Sequence, residues 1–274
     1  MPSTHPRPDE APDRRFQRFA RSLGAPLLGE RSIKLFPGGL SDNRYLLSLP
    51  GPALDADGWS SLASVPLQFG LPPEPLARFL AEARTADILH FGCDAEEGGT
   101  VLKLYAEHAA RLRTDWGSAR RSASRILVHR SVKWRATGEP EAAFSTYSVD
   151  PALSIPATAA RISALLGEGI AAELVTSLLH RAAGRVAAEA RMFLEVEEEG
   201  THRRSFDLKL YDAGFTLGSL AASLSSLAAS FSLGPEHQQR LAALPADAAL
   251  GHISGGQGRD GTPFLTLYYG GGPL

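Results

Sequence analysis

The sequence predicts an α+β fold in which about ten antiparallel strands close into one barrel inside a coat of helices. Three observations carry this. Five times along the chain two β-prone runs are joined by a short polar or glycine-containing link, and helical stretches separate most of the pairs. In four pairs the second run closes on a residue-x-Tyr signature: Lys103-Leu104-Tyr105, Ser145-Thr146-Tyr147, Lys209-Leu210-Tyr211 and Thr266-Leu267-Tyr268. A strand alternates its faces, so Lys103 and Tyr105 share one face, as do Lys209 and Tyr211, while Leu102, Leu104, Leu208 and Leu210 take the other. A flat sheet would leave two open edges and a polar face with no purpose, whereas closure removes both problems. Closure is therefore expected over two separate α+β lobes divided near Asp150-Pro151.

Residues 1–14 are rich in Pro, Asp, Glu and Arg with nothing to bury, which predicts a disordered arm ahead of one domain over 15–274. A short helix is expected over 15–23. The first hairpin joins 32–36 to 44–49 through Pro37-Gly38-Gly39. Pro72-Pro73-Glu74-Pro75 then opens an amphipathic helix through Leu76, Phe79 and Leu80, with proline where a missing N–H costs nothing. The second hairpin joins 87–92 to 101–108 across an acidic and Gly-Gly turn, and a basic helix follows over 109–121. The third pairs 126–135 with 142–149. Two Ala- and Leu-rich helices, 156–166 and 170–189, read as buried on most faces. The fourth hairpin pairs 191–196 with 205–211, helices over 217–231 and 235–244 follow, and the fifth pairs 251–254 with 264–269 through a Gly-rich turn.

At 274 residues and 43% hydrophobic content the chain can bury a sizeable core. A net charge of −2 supplies no global field for nucleic acid or acidic lipid, so neither is an expected partner. The single Cys93 excludes an internal disulfide and reads as a buried thiol. No apolar run approaches a membrane span, and the start of the chain lacks the apolar core of a signal peptide, so a cytoplasmic location is expected.

Gly256-x-Gly258-x-x-Gly261 spells a dinucleotide fingerprint, but it lies between two strands with no helix after it, so it reads as a hairpin loop. The histidines at 90, 108, 129, 180, 202 and 252 show no metal-ligand spacing, and no Asp-rich magnesium motif is present. No metal site is expected. The basic run from Arg111 to Arg135 lacks interleaved aromatics and reads as a solvated helix face, with Lys133 and Arg135, two apart on a strand, as exceptions. Glu107 and Asp207 fall on the face of the lysines and read as their counter-ions. Curled together, the hairpins give a basic, phenolic lumen suited to an anionic ligand that becomes cationic as it reacts.

On these residues the chain resembles the aromatic prenyltransferases of the ABBA, or PT-barrel, fold, most of all the cyanobactin-type enzymes that prenylate peptides. The resemblance spans about Glu30 to Tyr269 and rests on the order and number of short motifs. It implies a Glu in the first hairpin and an Arg opening the partner strand about fourteen residues later, which Glu30-Arg31-Ser32-Ile33-Lys34 and Asn43-Arg44-Tyr45-Leu46-Leu47 supply. By that likeness Glu30 is the base, Arg44, Lys103 and Lys209 cradle a diphosphate, and Tyr105, Tyr147, Tyr211 and Tyr268 shield a carbocation. Ser145 stands where indole-prenylating relatives carry a lysine, leaving Lys133 or Arg135 to compensate.

Ionising an allylic diphosphate needs cations aimed at the oxygens where charge develops, worth several kcal/mol of barrier in a water-poor cavity. The allyl cation left behind is held by π faces, at roughly 0.5–2 kcal/mol per ring, and the phenols keep out quenching water. The expected activity is transfer of a dimethylallyl or geranyl group from its diphosphate to a nucleophilic side chain of a peptide or to an aromatic small molecule. No tightly bound cofactor is expected, and Mg2+ as an assisting ion is left open. The alternative is a non-catalytic barrel that holds an isoprenoid or other amphipathic ligand.

Overall fold

A computed structural model describes residues 10–96, 99–122, 124–138 and 141–274. Eleven strands form one antiparallel sheet: β1 (Leu28–Phe36), β2 (Gly39–Ser41), β3 (Arg44–Pro50), β4 (Ile88–Glu96), β5 (Gly99–Glu107), β6 (Ile126–Arg135), β7 (Ala142–Val149), β8 (Phe193–Glu198), β9 (Arg204–Lys209), β10 (Leu250–Gln257) and β11 (Pro263–Pro273). Their order is β11-β10-β9-β8-β7-β6-β5-β4-β3-β1-β2, and β11 also pairs with β1 from Leu28↔Pro273 to Leu35↔Leu265. That pairing closes a ten-stranded barrel, with β2 a three-residue spur on the tip of β1. The sheet runs unbroken past Asp150-Pro151 through β7 and β8, so the two-lobe alternative is excluded.

The outer wall is apolar because alternate strand residues must meet helices. Leu102, Leu104 and Ala106 of β5 are fully buried outward, as are Phe206 and Leu208 of β9 and Leu265 and Leu267 of β11. Helix α1 (Pro12–Ser22) presents Phe16, Phe19 and Ala20 on one face. The Phe16 ring meets Phe69, Phe91 and Trp134 at 5.3, 5.9 and 5.9 Å. Tyr45 donates to the Asp13 carbonyl at 2.7 Å, tying this helix to β3. Helices α2 (Ala56–Ser64) and α3 (Pro73–Ala83) cover the same side, and α4 (Ala109–Ser122) packs along β6. On the opposite side α6 (Ile170–Ala183) buries Leu174, Val175, Leu178 and Leu179. Helices α5 (Ile155–Leu166), α7 (Ala221–Ser230) and α8 (Pro235–Ala242) complete the coat. No helix among the described residues is long and apolar enough to cross a membrane.

The differences from expectation are local. Helix α1 begins at Pro12, so residues 12–14 of the expected arm are helical, and residues 1–9 of that arm lie outside the described residues. Helix α2, with only Gly58 and Leu62 buried, was not expected. Helix α5 buries only Thr158 and Ile162, although it packs on β9 and β10 as well as on α6. The fourth hairpin ends sooner than expected. Strand β9 stops at Lys209, Leu210 leaves the extended region, and Ala213 N–H bonds the Leu210 carbonyl at 2.9 Å. Tyr211 therefore sits on a single 3-10 turn rather than on a strand.

Candidate functional site

The inward faces enclose a cavity of about 700 Å³. Its two ends differ in charge. At the end where the strands of each hairpin turn, Asp94 of β4 takes Arg44 at 2.8 Å and Lys103 of β5, and Arg44 Nε donates to Ser32 Oγ at 3.2 Å. Beside this, Glu198 of β8 takes Lys133 of β6, Arg203 at 3.1 Å and Arg259 at 2.5 Å. Lys103 and Lys133 face each other in the β5–β6 register, so the clusters are neighbours and five cations gather on two buried carboxylates. Lys34 lines the same end, 5.4 Å from the Phe264 ring. Burial pushes Asp94 up, but Arg44 and Lys103 outweigh it and hold the carboxyl at about 2. Burial likewise opposes Lys133, Arg259 and Arg203 at Glu198, which they hold at about 2. Burial, with Arg203 beside it, brings Lys133 down to about 8.

Phenols occupy the middle. The rings of Tyr105 and Tyr147 lie 5.9 Å apart, and Tyr268 stacks on His252 at 3.8 Å and 15°. Burial raises all three, Tyr147 to about 12, so they stay neutral near pH 7.

The far end mixes carboxylates and imidazoles. Glu107 of β5 accepts from Lys209 of β9 at 3.1 Å and lies 3.0 Å from His90 of β4 and 3.5 Å from His129 of β6. His252 Nδ1 is 2.8 Å from Asp207, and its Nε2 is 3.7 Å from Glu30. Burial disfavours the His252 imidazolium, yet Asp207 and Glu30 overcome it and raise the group to about 9. The Tyr211 hydroxyl donates to Glu30 Oε2 at 2.9 Å. Burial raises Glu30, and His252 and Tyr211 reverse the sign, leaving it below its ordinary value. Strand β10 reaches this carboxylate only because position 251 is glycine: a Cβ there would lie 2.6 Å from Glu30 Oε1.

No family model and no curated protein matches the chain. Solved structures do. The 5-dimethylallyl tryptophan synthase from Streptomyces coelicolor, in complex with DMASPP and Trp, is 16% identical over 88% of this chain and 78% of that one, with a TM-score of 0.57. PriB, in a binary complex with product diphosphate, is 14% identical over 88% and 79%, with a TM-score of 0.58. A 6-dimethylallyl tryptophan synthase is 14% identical over 88% and 80%, with a TM-score of 0.55. The fold is the PT barrel. The likeness at these identities is one of architecture, and it agrees with the ten strands and helical coat expected from the sequence.

Within the PT barrel, Arg44, Lys103, Lys209, Tyr105, Tyr147, Tyr211 and Tyr268 all line the cavity. Arg44 and Lys103 come together on Asp94, whereas Lys209 is at the other end on Glu107. Tyr211, 47% exposed, joins Glu30 and His252 instead of the Tyr105–Tyr147 pair. Glu30 is not a lining residue; it meets the cavity through Tyr211 and His252, which are. Glu107 takes Lys209 as the counter-ion reading expected, whereas Asp207 takes His252 rather than a lysine. Cys93 faces outward into the core, with burial raising its thiol to about 12. The three glycines from 256 form the β10–β11 turn region, where Gly256 packs against β9 and Gly258 bonds Thr262.

Sequence reasoning missed Lys34, Asp94, Glu198, His90, His129 and His252, although each lies an even number of residues from a lining position on its own strand. Lys34 follows Ser32, and Asp94 and His90 flank Gly92. Arg203 and Arg259 carry no such signal, because they lie in turns. Histidine spacing along the chain gave no metal cluster, yet the strand register brings His90, Glu107 and His129 together.

Proposed function

We propose that this PT barrel transfers an allylic prenyl group from its diphosphate to an acceptor with a nucleophilic aromatic ring or peptide side chain. The observation that carries the reading is the gathering of Arg44, Lys103, Lys133, Arg203 and Arg259 at one end of a phenol-lined cavity. Fixed cations with little water around them stabilise a departing diphosphate more in the transition state than in the ground state. Lys133, Arg203 and Arg259 supply the charge that Ser145 lacks, and Lys34 adds to it. Tyr105 and Tyr147 follow along the axis, their rings offered to an allyl cation and their neutral hydroxyls held back from attack on it, and Tyr268, one face of which is stacked on His252, flanks them.

The acceptor's proton goes to Glu30 by way of Tyr211: the phenol takes it on oxygen as it passes its own hydrogen to Glu30 Oε2, across the 2.9 Å hydrogen bond. The His252 imidazolium keeps Glu30 ionised so that it can accept. Lys209, on Glu107, serves the acceptor end rather than the diphosphate. A dimethylallyl or geranyl chain fits a cavity of about 700 Å³. The likeness to structures holding DMASPP with Trp favours dimethylallyl and an aromatic acceptor, and the resemblance to cyanobactin-type enzymes favours a peptide. Mg2+ is not required by the cation set.

The test is incubation with dimethylallyl or geranyl diphosphate, tryptophan, and peptides containing Tyr, Trp, Arg or His, with and without EDTA. Diphosphate release with a matching mass gain on the acceptor supports transfer, and EDTA is expected to leave it intact. The position of Glu30 behind Tyr211 and His252 favours a second reading, a barrel that only holds the isoprenoid. Stable binding without diphosphate release supports that one.

A further inference from the structure

We propose that His90, Glu107 and His129 form a binding site for a first-row transition-metal ion of the zinc class. The three lie on the neighbouring strands β4, β5 and β6, where Glu107 is opposite His129 in register and Ile88, two residues before His90, is opposite Glu107. One candidate ligand atom from each lies within 4.8 Å of the others, and the two imidazole rings are 5.8 Å apart. A single oxygen, Glu107 Oε2, is 3.0 Å from His90 Nε2 and 3.5 Å from His129 Nδ1. Two imidazoles and a carboxylate are a ligand set that suits zinc and leaves one position for an outside group. All three side chains line the cavity, so that position opens on the lumen.

A trio joined only by hydrogen bonds would have similar contacts at Oε2, and the surroundings favour the metal. Ser48 Oγ lies 2.7 Å from His90 Nδ1, the ring nitrogen turned away from Glu107. Lys209 donates to Glu107 Oε1, the oxygen turned away from the histidines. Each outer partner thus holds a ligand by the atom that would not face the ion, which is how ligand orientation and tautomer are fixed in metal sites. Imidazole donors select zinc, cobalt, nickel or copper over magnesium, so the site is distinct in kind from any magnesium that attends a diphosphate.

The experiment uses the untagged full chain, dialysed against Zn2+ and then metal-free buffer, with bound zinc counted by atomic spectrometry and Co2+ titrated by visible absorption. Stoichiometric zinc and visible Co2+ bands are expected. Both should vanish in His129→Ala and Glu107→Gln, and Ser48→Ala should weaken zinc affinity by about tenfold. No retained zinc, or equal retention in His129→Ala, overturns the site. If the ligand variants do not fold by circular dichroism, the wild-type Co2+ spectrum and Ser48→Ala decide, and absent bands or an unchanged affinity overturn it. None of these readouts uses a prenyl donor, so their failure leaves the transfer reading standing. Zinc-loaded protein that releases no diphosphate counts against transfer alone.

Discussion

Lys103 and Lys133 stand directly opposite each other across β5 and β6, and each is held by a different buried carboxylate, Asp94 and Glu198. Two ammonium groups so placed would repel each other without those carboxylates. Asp94 and Glu198 thus let positive charge gather in the lumen, and on the proposed reading an incoming diphosphate competes with them for it. On this account Lys103→Ala and Arg259→Ala weaken donor binding, each loss being on the order of 2 kcal/mol, the scale of a hydrogen bond to a charged group. Titration of dimethylallyl diphosphate by calorimetry checks it, and unchanged affinity in both variants removes these residues from the cradle.

Glu198 is buried against three cations, so its own removal acts on folding. Glu198→Ala leaves Lys133 and Arg203 partly buried without their counter-ion, and breaking a buried pair in this way costs about 3–5 kcal/mol, discounted here because the cations reach solvent. The urea midpoint is expected to fall clearly, with a smaller fall in Glu198→Gln, which keeps hydrogen-bonding capacity. Equal midpoints for Glu198→Ala and wild type would contradict the charge-storage account.

The His252 pair gives a pH dependence of definite sign. Its folded value of about 9 lies above the ordinary 6.5, so its contribution to stability is fully present below about 6.5 and is lost as pH rises through 9. Lys133, brought down to about 8, acts in the opposite direction over an overlapping range. The wild-type curve therefore mixes the two, and the comparison with His252→Gln separates them. The stability difference between wild type and His252→Gln should shrink steadily from pH 6.5 to 9.5, as read by urea denaturation at each pH. A difference that grows over that window contradicts the assigned ion pair.

Much of this was legible because a barrel reads strand periodicity directly. The hairpins at 126–135 and 142–149 match β6 and β7, and the Lys-x-Tyr alternation sorted Lys103 and Tyr105 inward from Leu102 and Leu104 outward. Depth along the axis was not legible. It depends on register and shear, which sequence does not give, so Lys209 was grouped with Arg44 and Lys103 although it lies with Glu107. The same gap hid His90, Glu107 and His129, which are neighbours only through pairing. Tyr211 fell out of its strand for a local reason: Gly214, at φ 69°, closes a turn that competes with further pairing of β9. Arg203 and Arg259 lie in turns, where alternation says nothing.

The outer coat has its own keystone. Phe16 is fully buried and touches Phe69, Phe91 and Trp134, joining α1 to the wall formed by β4 and β6. Phe16→Ala removes a fully buried aromatic ring from that junction and should cost about 3–5 kcal/mol. Phe16→Leu keeps most of the volume and should cost under about 1.5 kcal/mol. Denaturant unfolding followed by Trp fluorescence tests both, since Trp134 reports on the site. Equal losses for the two variants would mean that α1 is not packed on the barrel in this way.

Tyr211 separates a proton path from a shield. Its hydroxyl donates to Glu30 while its ring lies 5.7 Å from His252, and the two interactions can be removed one at a time. Tyr211→Phe keeps the ring and deletes the proton path, so kcat should fall by about 100-fold, the lower range for a lost acid–base group, while the KM for the prenyl donor stays put. A role confined to holding a carbocation by its π face predicts little change in Tyr211→Phe and a large one in Tyr211→Leu. Steady-state rates on both variants, with diphosphate release as the readout, distinguish the two. A wild-type kcat in Tyr211→Phe would return Tyr211 to the ring of shielding phenols and leave His252 as the contact of Glu30 with the cavity.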